Sequence, residues 1–319
     1  MPGSQSTGNV VTVTLNPAVD QTLIVDDFRP NTVNRARSAT VHAGGKGINV
    51  AAFLADYGQE VCATGFLGEE NAALFERLFA SKGIVDRFVH TPGNTRFGVK
   101  IVDEVREETT DLNLPGLPPT SGAVEKLFAT LDDLADTYTW FVLTGSLPPG
   151  LPPDFYVTLI RRLKARGRHV VLDTSGEALR EGAAAGPQIL KPNATEISQL
   201  LGRPLSDTVA LVTGAQRLLA RGTELVAVTL GAKGAILVTA EESVIARPPK
   251  VKVASTVGAG DAFVAGLVAA QLAHMDPLES ARLATAFAAG ATTRLGSHLP
   301  PLRQLERYRE QSVVVRWSR

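Results

Sequence analysis

The sequence is poor in cysteine, in excess charge of either sign and in long apolar runs. Cys62 is the only cysteine of the 319 residues, which excludes an internal disulfide framework and fits a reducing compartment. Lys plus Arg and Asp plus Glu number 32 each, so no net charge attracts nucleic acid or an anionic membrane. No stretch approaches the roughly 20 apolar residues of a membrane span, and the polar residues 1–9 lack the features of a signal peptide. We therefore expect a cytoplasmic protein that binds neither nucleic acid nor membranes.

What the chain does contain is the alternation of strands and helices that builds a parallel sheet. Hydrophobic residues make up 44% of the sequence, enough to bury the core of one large α/β domain. Apolar runs at 140–143, 169–172 and 225–229 predict strands that are buried on both faces. Amphipathic patterns closed by glycine predict the helices, which are expected near 47–57, 71–82, 153–166, 194–201 and 207–221.

Two segments interrupt this alternation. Residues 21–43 and 95–114 show alternating, strand-like patterns with no amphipathic helix between the strands. They predict a small β-layer that projects from the main sheet. No low-complexity tract, internal repeat or flexible linker marks a second domain, so we expect residues 1–319 to form a single domain.

The most informative motif is Ser255-Thr-Val-Gly-Ala-Gly-Asp261, which leads from a strand end into a helix. Backbone N–H groups of Gly258, Ala259 and Gly260 at a helix start would form a site for an anion such as a transferring phosphoryl group. Asp261 follows in the first turn, where a carboxylate can accept the proton of a substrate hydroxyl. The alternative is an ordinary glycine-rich turn that begins a helix.

Two better-known phosphate-binding motifs do not fit this sequence. A dinucleotide-binding G-x-G-x-x-G would need glycine at position 263, which is Phe263. A Walker A loop requires Lys followed by Ser or Thr, whereas Lys46 is followed by Gly47. Both failures disfavour a nicotinamide-dependent oxidoreductase and a P-loop enzyme.

A second glycine-rich helix start lies at Gly44-Gly-Lys-Gly-Ile-Asn49. Backbone amides of Gly44 and Gly45, with Lys46 beside them, could hold a phosphate or sugar hydroxyls. Asn49, one turn further, can both donate and accept hydrogen bonds with hydroxyl groups. A purely structural turn explains the glycines equally well.

The segment Lys191-Pro-Asn-Ala-Thr-Glu196 follows another predicted strand. Asn193 and Glu196 lie three residues apart at a helix start, so one face could hold Mg²⁺ through water while Lys191 leans toward nucleotide phosphates. The alternative is that Asn193 caps the helix and Glu196 completes a capping box.

Two further turns are candidates for ligand contact. Thr229-Leu-Gly-Ala-Lys-Gly234 joins two predicted strands, and Gly231 and Gly234 would let an adenine or ribose approach the backbone. Asp20 comes shortly after the first strand, at the edge where α/β proteins bind ligands, and could bond sugar hydroxyls. A hairpin turn and a strand-terminating turn are the respective alternatives.

Taken together, the motifs at 44–50, 191–196 and 256–261 resemble those of the ribokinase-like PfkB carbohydrate kinases, and the similarity runs from about Val10 to Gly296. Within that family, segments 15–20, 94–100, 110–116 and 144–150 are similar to those of the bacterial 1-phosphofructokinase branch. The resemblance implies a three-layer α/β/α sandwich with a mainly parallel sheet, covered by a small β-sheet lid that often pairs with the lid of a second subunit. Segments 21–43 and 95–114 would form that lid.

The resemblance also implies a role for each motif. Asp261 would be the catalytic base, Gly258, Ala259 and Gly260 the anion hole, and Glu196 with Asn193 the Mg²⁺ site. The expected substrate-binding residues are Asp20, Arg35, Gly44, Gly45, Lys46, Asn49, Arg96 and Ser146. The expected ATP-binding residues are Lys191, Asn193, Thr229, Gly231, Gly234, Thr256, Gly258 and Gly260. Carbonyl groups near Ser255 and Val257 would hold K⁺.

The expected reaction is ATP-dependent phosphorylation of fructose 1-phosphate. A substrate that already carries a phosphate needs fixed cations, and Arg35, Lys46 and Arg96 lie in the expected sugar region. Tagatose 6-phosphate and fructose 6-phosphate are alternative substrates, because the same residues can hold either end of a similar ketohexose. Outside this class, a sugar-phosphate-binding regulator without catalysis remains open. A homodimer through the lid is the expected assembly.

Overall fold

The structure is a computed structural model that describes residues 10–318. The polar stretch 1–9, for which no signal peptide is expected, lies outside the described residues. The strands are β1 (Val10–Thr14), β2 (Ala18–Val25), β3 (Ala36–Gly44), β4 (Val61–Gly68), β5 (Val85–Asp86), β6 (Val89–Thr91), β7 (Phe97–Asp103), β8 (Glu108–Asn113), β9 (Trp140–Thr144), β10 (His169–Asp173), β11 (Ile189–Leu190), β12 (Leu225–Thr229), β13 (Ala235–Val238), β14 (Ser243–Arg247) and β15 (Val313–Arg316). The helices are α1 (Lys46–Asp56), α2 (Ala73–Lys82), α3 (Ser121–Thr137), α4 (Phe155–Ala165), α5 (Gly176–Ala184), α6 (Ala194–Leu200), α7 (Thr208–Leu219), α8 (Ala259–Leu272), α9 (Pro277–Thr292) and α10 (Leu302–Gln311).

The large sheet is parallel through its centre and antiparallel at one edge. Its strand order is β15-β14-β13-β12-β11-β10-β9-β1-β4-β5, and β6 also pairs with β4. The pairings from β12 through β10, β9 and β1 to β4, β5 and β6 are parallel. The pairings of β12, β13, β14 and β15 with one another are antiparallel. In such a sheet, ligands bind at the carboxyl ends of the parallel strands.

Helices cover both faces of this sheet because successive side chains of its strands point to opposite sides. Val10 packs into the core that contains α1, α2, α8, α9 and α10, whereas Val11 and Val13 pack into the core with α3 to α7. The predicted three-layer α/β/α sandwich is therefore confirmed. Among the helices of residues 10–318, none combines the length and apolar character needed to cross a membrane.

A separate four-stranded sheet has the order β3-β2-β7-β8. The β2–β3 and β7–β8 pairs are antiparallel, and β2–β7 is parallel. Strands β3 and β8 are exposed along nearly their whole length. Only Gly45 separates the end of β3 from the start of α1, so the small sheet is joined directly to a helix of the main domain.

Candidate active site

The predicted Asp261 lies in the first turn of α8, a helix that begins in a conformation suited to glycine. Gly258 is the N-cap of α8 and has φ 78°, in the left-handed region where a side chain would be strained. The first regular helical bond runs from the Ala262 amide to the Gly258 carbonyl, 2.8 Å long. The first N–H groups of a helix have no partner within it, and they favour an anion. Within residues 10–318, no heavy atom other than those of the neighbouring residues and the helix backbone lies within 4 Å of the space that a Cβ at Gly260 would occupy, so this turn faces open space.

Asp261 is buried, with 7% of its surface exposed, yet one of its oxygens has a defined partner. Asn49 Nδ2 donates to Asp261 Oδ2 over 2.8 Å. Burial, together with the negative charge of Asp173, raises the pKa of Asp261 from 3.8 to about 6, against the opposing effects of Lys46, Asn49 and Lys191. A carboxyl group with a pKa near 6 is a stronger base than an ordinary aspartate, and perturbed carboxyls are typical of functional sites.

The centre of the site is a carboxylate that our sequence analysis missed. Asp173, the last residue of β10, is fully buried. Lys46 Nζ donates to its two carboxylate oxygens over 3.3 and 3.4 Å, and Lys191 Nζ lies 3.1 Å from Oδ1. Thr144, at the end of β9, donates to Oδ2 over 3.5 Å. Two cationic side chains from separate elements thus converge on one carboxylate.

Lys46 carries the electrostatic signature of this arrangement. Burial lowers its pKa, but the negative charges of Asp173, Asp261 and Glu196 outweigh burial and raise the pKa above the usual value. Lys46 is the first residue of α1 and its side chain is 41% exposed, so a charged ligand can reach its ammonium group. The site therefore presents positive charge to a ligand while neutralising its own buried carboxylates.

A sequence signal for Asp173 existed. It directly follows the apolar residues of the predicted strand at 169–172, at the carboxyl edge of the parallel sheet. The criterion that selected Asp20 would have selected Asp173 as well. What the sequence does not give is the pairing of this carboxylate with Lys46 and Lys191, because those contacts join β10 to the start of α1 and to the loop after β11.

On the small sheet, Asp20 occupies space that two neighbouring strands leave free. A Cβ on Gly44 would lie 2.0 Å from Asp20 Oδ2, and a Cβ on Gly98 would lie 2.8 Å from Oδ1. Only glycine at both positions leaves room for this carboxylate in its observed place. Burial raises the pKa of Asp20, and the positive charges of Arg96 and Lys100 oppose that rise.

Arg96 lies near this carboxylate with part of its guanidinium unbonded. Its Nη1 donates to the Leu114 carbonyl at 3.4 Å and its Nη2 to the Asn16 carbonyl at 3.5 Å, both long contacts. Within residues 10–318, its buried Nε has no hydrogen-bond partner. Burial lowers the pKa of Arg96 and Asp20 opposes this effect. A buried donor without a partner is suited to an anionic ligand such as a phosphate.

Of the other predicted sugar residues, Ser146 and Gly45 lie near this region and Arg35 does not. Ser146 accepts a 3.0 Å hydrogen bond from Asn16 Nδ2, a second residue that our sequence analysis did not select. Gly45 is the N-cap of α1, directly between the small sheet and Lys46. Arg35 is exposed in the loop between β2 and β3, at the opposite end of β3 from Gly44, so the structure does not bring this predicted sugar residue to Asp20.

The 191–196 segment forms the capping box that the sequence allows as an alternative to a metal site. Asn193 is the N-cap of α6, and its side chain accepts hydrogen bonds from the amides of Thr195 and Glu196. Glu196 Oε2 in turn accepts from the Asn193 amide at 2.7 Å, which completes a capping box. The capping bonds engage Oδ1 of Asn193 and Oε2 of Glu196, and the charge of Glu196 contributes to the raised pKa of Lys46.

The predicted nucleotide turn is a connection between antiparallel strands and lies next to the capping box. Thr229 ends β12 and bridges to Asn193, which brings the two predicted nucleotide segments together. Gly231 begins a short 3₁₀ turn, and Gly234 leads into β13. A Cβ on Gly234 would lie 1.9 Å from the Ala246 carbonyl oxygen, so this glycine is explained by packing.

The segment before α8 is tied to the end of α9. The amides of Ala254 and Ser255 donate to the Thr292 carbonyl at 2.8 and 3.1 Å. Ser255 Oγ accepts from the Val257 amide at 3.2 Å, and the Thr256 carbonyl accepts from the Ala259 amide at 3.4 Å. The predicted K⁺ position thus coincides with a hydrogen-bonded turn.

The residues present are better suited to binding a nucleoside triphosphate than to holding a metal ion by themselves. Lys46, Lys191 and the start of α8 supply positive charge, which polyphosphate requires. Among the described residues, no group of three or more His, Cys, Asp or Glu side chains could hold a metal ion. Mg²⁺ is commonly bound through one or two carboxylates and the phosphates of its nucleotide, so this set of residues still fits Mg²⁺ that arrives with ATP.

The chain is similar to proteins of one family over most of its length. Residues 8–304 match the pfkB family of carbohydrate kinases. The 1-phosphofructokinase of Rhodobacter capsulatus is 48% identical over 297 residues, which are 93% of this chain and 94% of that protein.

Solved structures agree with the sequence matches. A possible 1-phosphofructokinase from Thermotoga maritima superimposes with a TM-score of 0.87 and 30% identity, covering 97% of this chain and 100% of that one. Phosphofructokinase-2 from Escherichia coli, in complex with substrates and products, gives a TM-score of 0.89 at 28% identity and covers 95% of this chain and 98% of that one. The same enzyme has been solved in complex with potassium and in a tetrameric inhibited form.

Proposed function

The chain belongs to the pfkB family of carbohydrate kinases, and we propose that it transfers the γ-phosphoryl group of ATP to fructose 1-phosphate, giving fructose 1,6-bisphosphate. The relatives named 1-phosphofructokinase, one of them 48% identical over 93% of the chain, agree with the reaction predicted from the sequence. Kinase chemistry implies the use of ATP. We further propose that the enzyme acts in the cytoplasm.

One observation carries the proposed mechanism: a buried carboxyl group with a raised pKa lies at the start of a helix, with two lysines nearby. Asp261 would accept the proton of the attacking sugar hydroxyl on Oδ1, while Asn49 holds Oδ2. Its pKa of about 6 leaves it mostly ionised at neutral pH, yet more basic than an ordinary aspartate. Phosphoryl transfer depends mainly on positioning and charge stabilisation, which the helix start, Lys46 and Lys191 would supply.

On the sugar side, the proposed contacts divide into hydroxyl and phosphate recognition. Asp20 would bond sugar hydroxyls from the small sheet, and Asn49 would bond the hydroxyls nearest Asp261. Arg96 would bind the phosphate already present, since its buried Nε has no partner within the described residues. Ser146 is a further proposed contact, whereas Arg35 lies at the far end of β3 from Gly44 and is not one. The small sheet would cover the bound sugar and exclude water, which limits ATP hydrolysis.

The proposed enzyme also uses Mg²⁺ and a potassium ion and associates with a second copy of the chain. Glu196, oriented by Asn193 through the capping box, would help to hold the Mg²⁺ that arrives with ATP, and this ion would supply positive charge to the phosphates. A potassium ion bound near Ser255 and Val257 is supported by the potassium complex of the Escherichia coli relative. The exposed small sheet would pair with that of a second copy, and the tetrameric form of the same relative supports self-association.

The decisive experiment is an ATP-coupled assay of the purified full-length protein. It compares kcat/KM for fructose 1-phosphate, fructose 6-phosphate, tagatose 6-phosphate and free fructose. The proposal predicts the highest value for fructose 1-phosphate and release of ADP in equal amount to bisphosphate. A higher value for either 6-phosphate would reassign the substrate, and binding without ADP release would identify a non-catalytic regulator.

A further inference from the structure

Asn49 must present one particular amide atom to Asp261, and its other amide atom is held by Ser297. An ionised carboxylate only accepts hydrogen bonds, so the Asn49 atom 2.8 Å from Asp261 Oδ2 must be the nitrogen Nδ2. The opposite atom is then the carbonyl oxygen Oδ1, to which Ser297 Oγ donates over 2.5 Å. Ser297 therefore donates to Asn49, and Asn49 donates to Asp261.

The segment that carries Ser297 is fastened to α1 at a second place. Asn49 lies in the first turns of α1, and Asp56 is the last residue of that helix. The Leu299 amide donates to Asp56 Oδ2 at 3.0 Å, and Lys82 Nζ contacts the other oxygen of Asp56 at 2.5 Å. Residues 297–299 thus contact α1 near both ends. Because Leu299 is also buried, the Ser297 hydroxyl is held in place by more than its own hydrogen bond.

We propose that Ser297 is a positioning residue for phosphoryl transfer: its hydroxyl fixes the amide of Asn49 so that Asn49 donates to Asp261 Oδ2 and leaves Oδ1 free for the sugar hydroxyl. This inference rests on the proposed function, because it takes Asp261 as the proton acceptor. Without the Ser297 hydroxyl, the Asn49 amide can rotate by half a turn. Its oxygen would then face the carboxylate, and two acceptors repel each other.

The same chain affects the protonation of Asp261. Asp261 is faced by Asp173 from β10, by Lys46 and Asn49 from α1, and by Lys191 after β11. Burial and Asp173 raise the pKa of Asp261, whereas the Asn49 hydrogen bond and the two lysines lower it. Loss of an ordered donor at Asn49 therefore raises the pKa further. A smaller fraction of the enzyme then carries an ionised base near pH 6.

The test compares the full-length wild type with Ser297→Ala, Ser297→Thr and the matched control Ser312→Ala. Ser312 is buried and its hydroxyl donates to the Tyr308 carbonyl at 2.8 Å, so the control also removes a hydrogen-bonded serine hydroxyl, but outside the Ser297–Asn49–Asp261 chain. Steady-state kinetics with ATP and fructose 1-phosphate are measured from pH 5 to 8, and thermal unfolding is recorded for each variant.

Ser297→Ala should lower kcat about five- to tenfold, as expected for one lost hydrogen bond in the reacting geometry, while KM for ATP stays unchanged. The acid limb of its kcat–pH profile, which reports groups of the enzyme–substrate complex, should move to higher pH. Ser297→Thr keeps a hydroxyl and should restore both properties, and Ser312→Ala should match the wild type in both.

Wild-type kcat and an unmoved acid limb in Ser297→Ala would overturn the proposal. A lower kcat with an unmoved limb and a lowered Tm would assign Ser297 a structural role only, and would overturn it as well. If the wild type does not phosphorylate fructose 1-phosphate, the proposed function fails instead. An NMR titration of the Asp261 carboxyl group then still tests Ser297, because the pKa in Ser297→Ala should exceed that of the wild type.

Discussion

Replacing Asp261 with asparagine should make the protein more stable and nearly inactive at the same time. The carboxyl group is 7% exposed, and burial together with Asp173 raises its pKa from 3.8 to about 6. At neutral pH the folded protein therefore carries a charge that the unfolded chain would hold more easily. Asparagine has a similar shape and no charge, so it removes this conflict.

The size of the effect follows from the two pKa values of Asp261. A rise from 3.8 to about 6 corresponds to about 3 kcal/mol in the free energy of unfolding. The pKa of Asp261 is higher in the folded protein than in the unfolded chain. The contribution of this group to the stability of the wild type is therefore fully present below about pH 3.8 and is lost as the pH rises through 6. Asp261→Asn should thus be more stable than the wild type by up to about 3 kcal/mol at pH 7.5, and by roughly half that amount at pH 5.

Urea unfolding of both proteins at pH 7.5 and pH 5 measures this difference, and steady-state kinetics measure turnover. Turnover of Asp261→Asn should fall at least roughly 10²-fold with nearly unchanged ATP affinity. Asp154→Asn is the control, since Asp154 is an exposed N-cap without a side-chain cap bond and asparagine is an equally good cap. Its stability should follow that of the wild type at both pH values.

Two results would refute this reasoning separately. An Asp261→Asn protein that is no more stable than the wild type at pH 7.5, or whose advantage does not change with pH, would mean that the ionised carboxylate is not destabilised by its surroundings. Wild-type turnover would remove Asp261 from the mechanism, whatever the stability.

Three further predictions concern charge and space in the site. Asp173→Asn removes a negative charge that raises the pKa of Asp261, so the acid limb of kcat/KM should move to lower pH; a limb that stays in place would report the substrate phosphate, which also titrates near pH 6. Gly44→Ala would place a methyl group 2.0 Å from Asp20 Oδ2 and displace this carboxylate, so KM for the sugar should rise while KM for ATP stays constant in steady-state kinetics. A sugar KM in Gly44→Ala equal to that of the wild type would show that Asp20 does not contact the sugar. Arg96→Lys keeps the charge but loses the planar fork, so KM for fructose 1-phosphate should rise about tenfold, whereas phosphorylation of free fructose should not change.

Much of the fold could be predicted because its signals are local. Apolar strands such as 140–143 and glycine-terminated helices such as 153–166 lie where the sequence placed them. The family and the fold class are likewise confirmed. Helices α3, α5, α9 and α10 were not predicted.

The site was predictable only in part, because its geometry depends on contacts between distant segments. The turn before Asp261 carries a local signature, and Asn49 follows a glycine-rich helix start. Nothing local links Asp173 to Lys46, or Ser297 to Asn49, which is 248 residues away. The motif at 191–196 shows the opposite limit: its local pattern fits both a cap and a metal site, and the capping box is present.

The single residue between β3 and α1 has a mechanical consequence. Strand β3 belongs to the small sheet, whereas α1 carries Lys46 and Asn49 into the reaction centre. Because only Gly45 intervenes, a tilt of the small sheet would act on both side chains without the slack of a connecting loop. In the proposed reaction, docking of a sugar beneath the sheet would therefore be coupled by a covalent connection to the alignment of the groups that act on it.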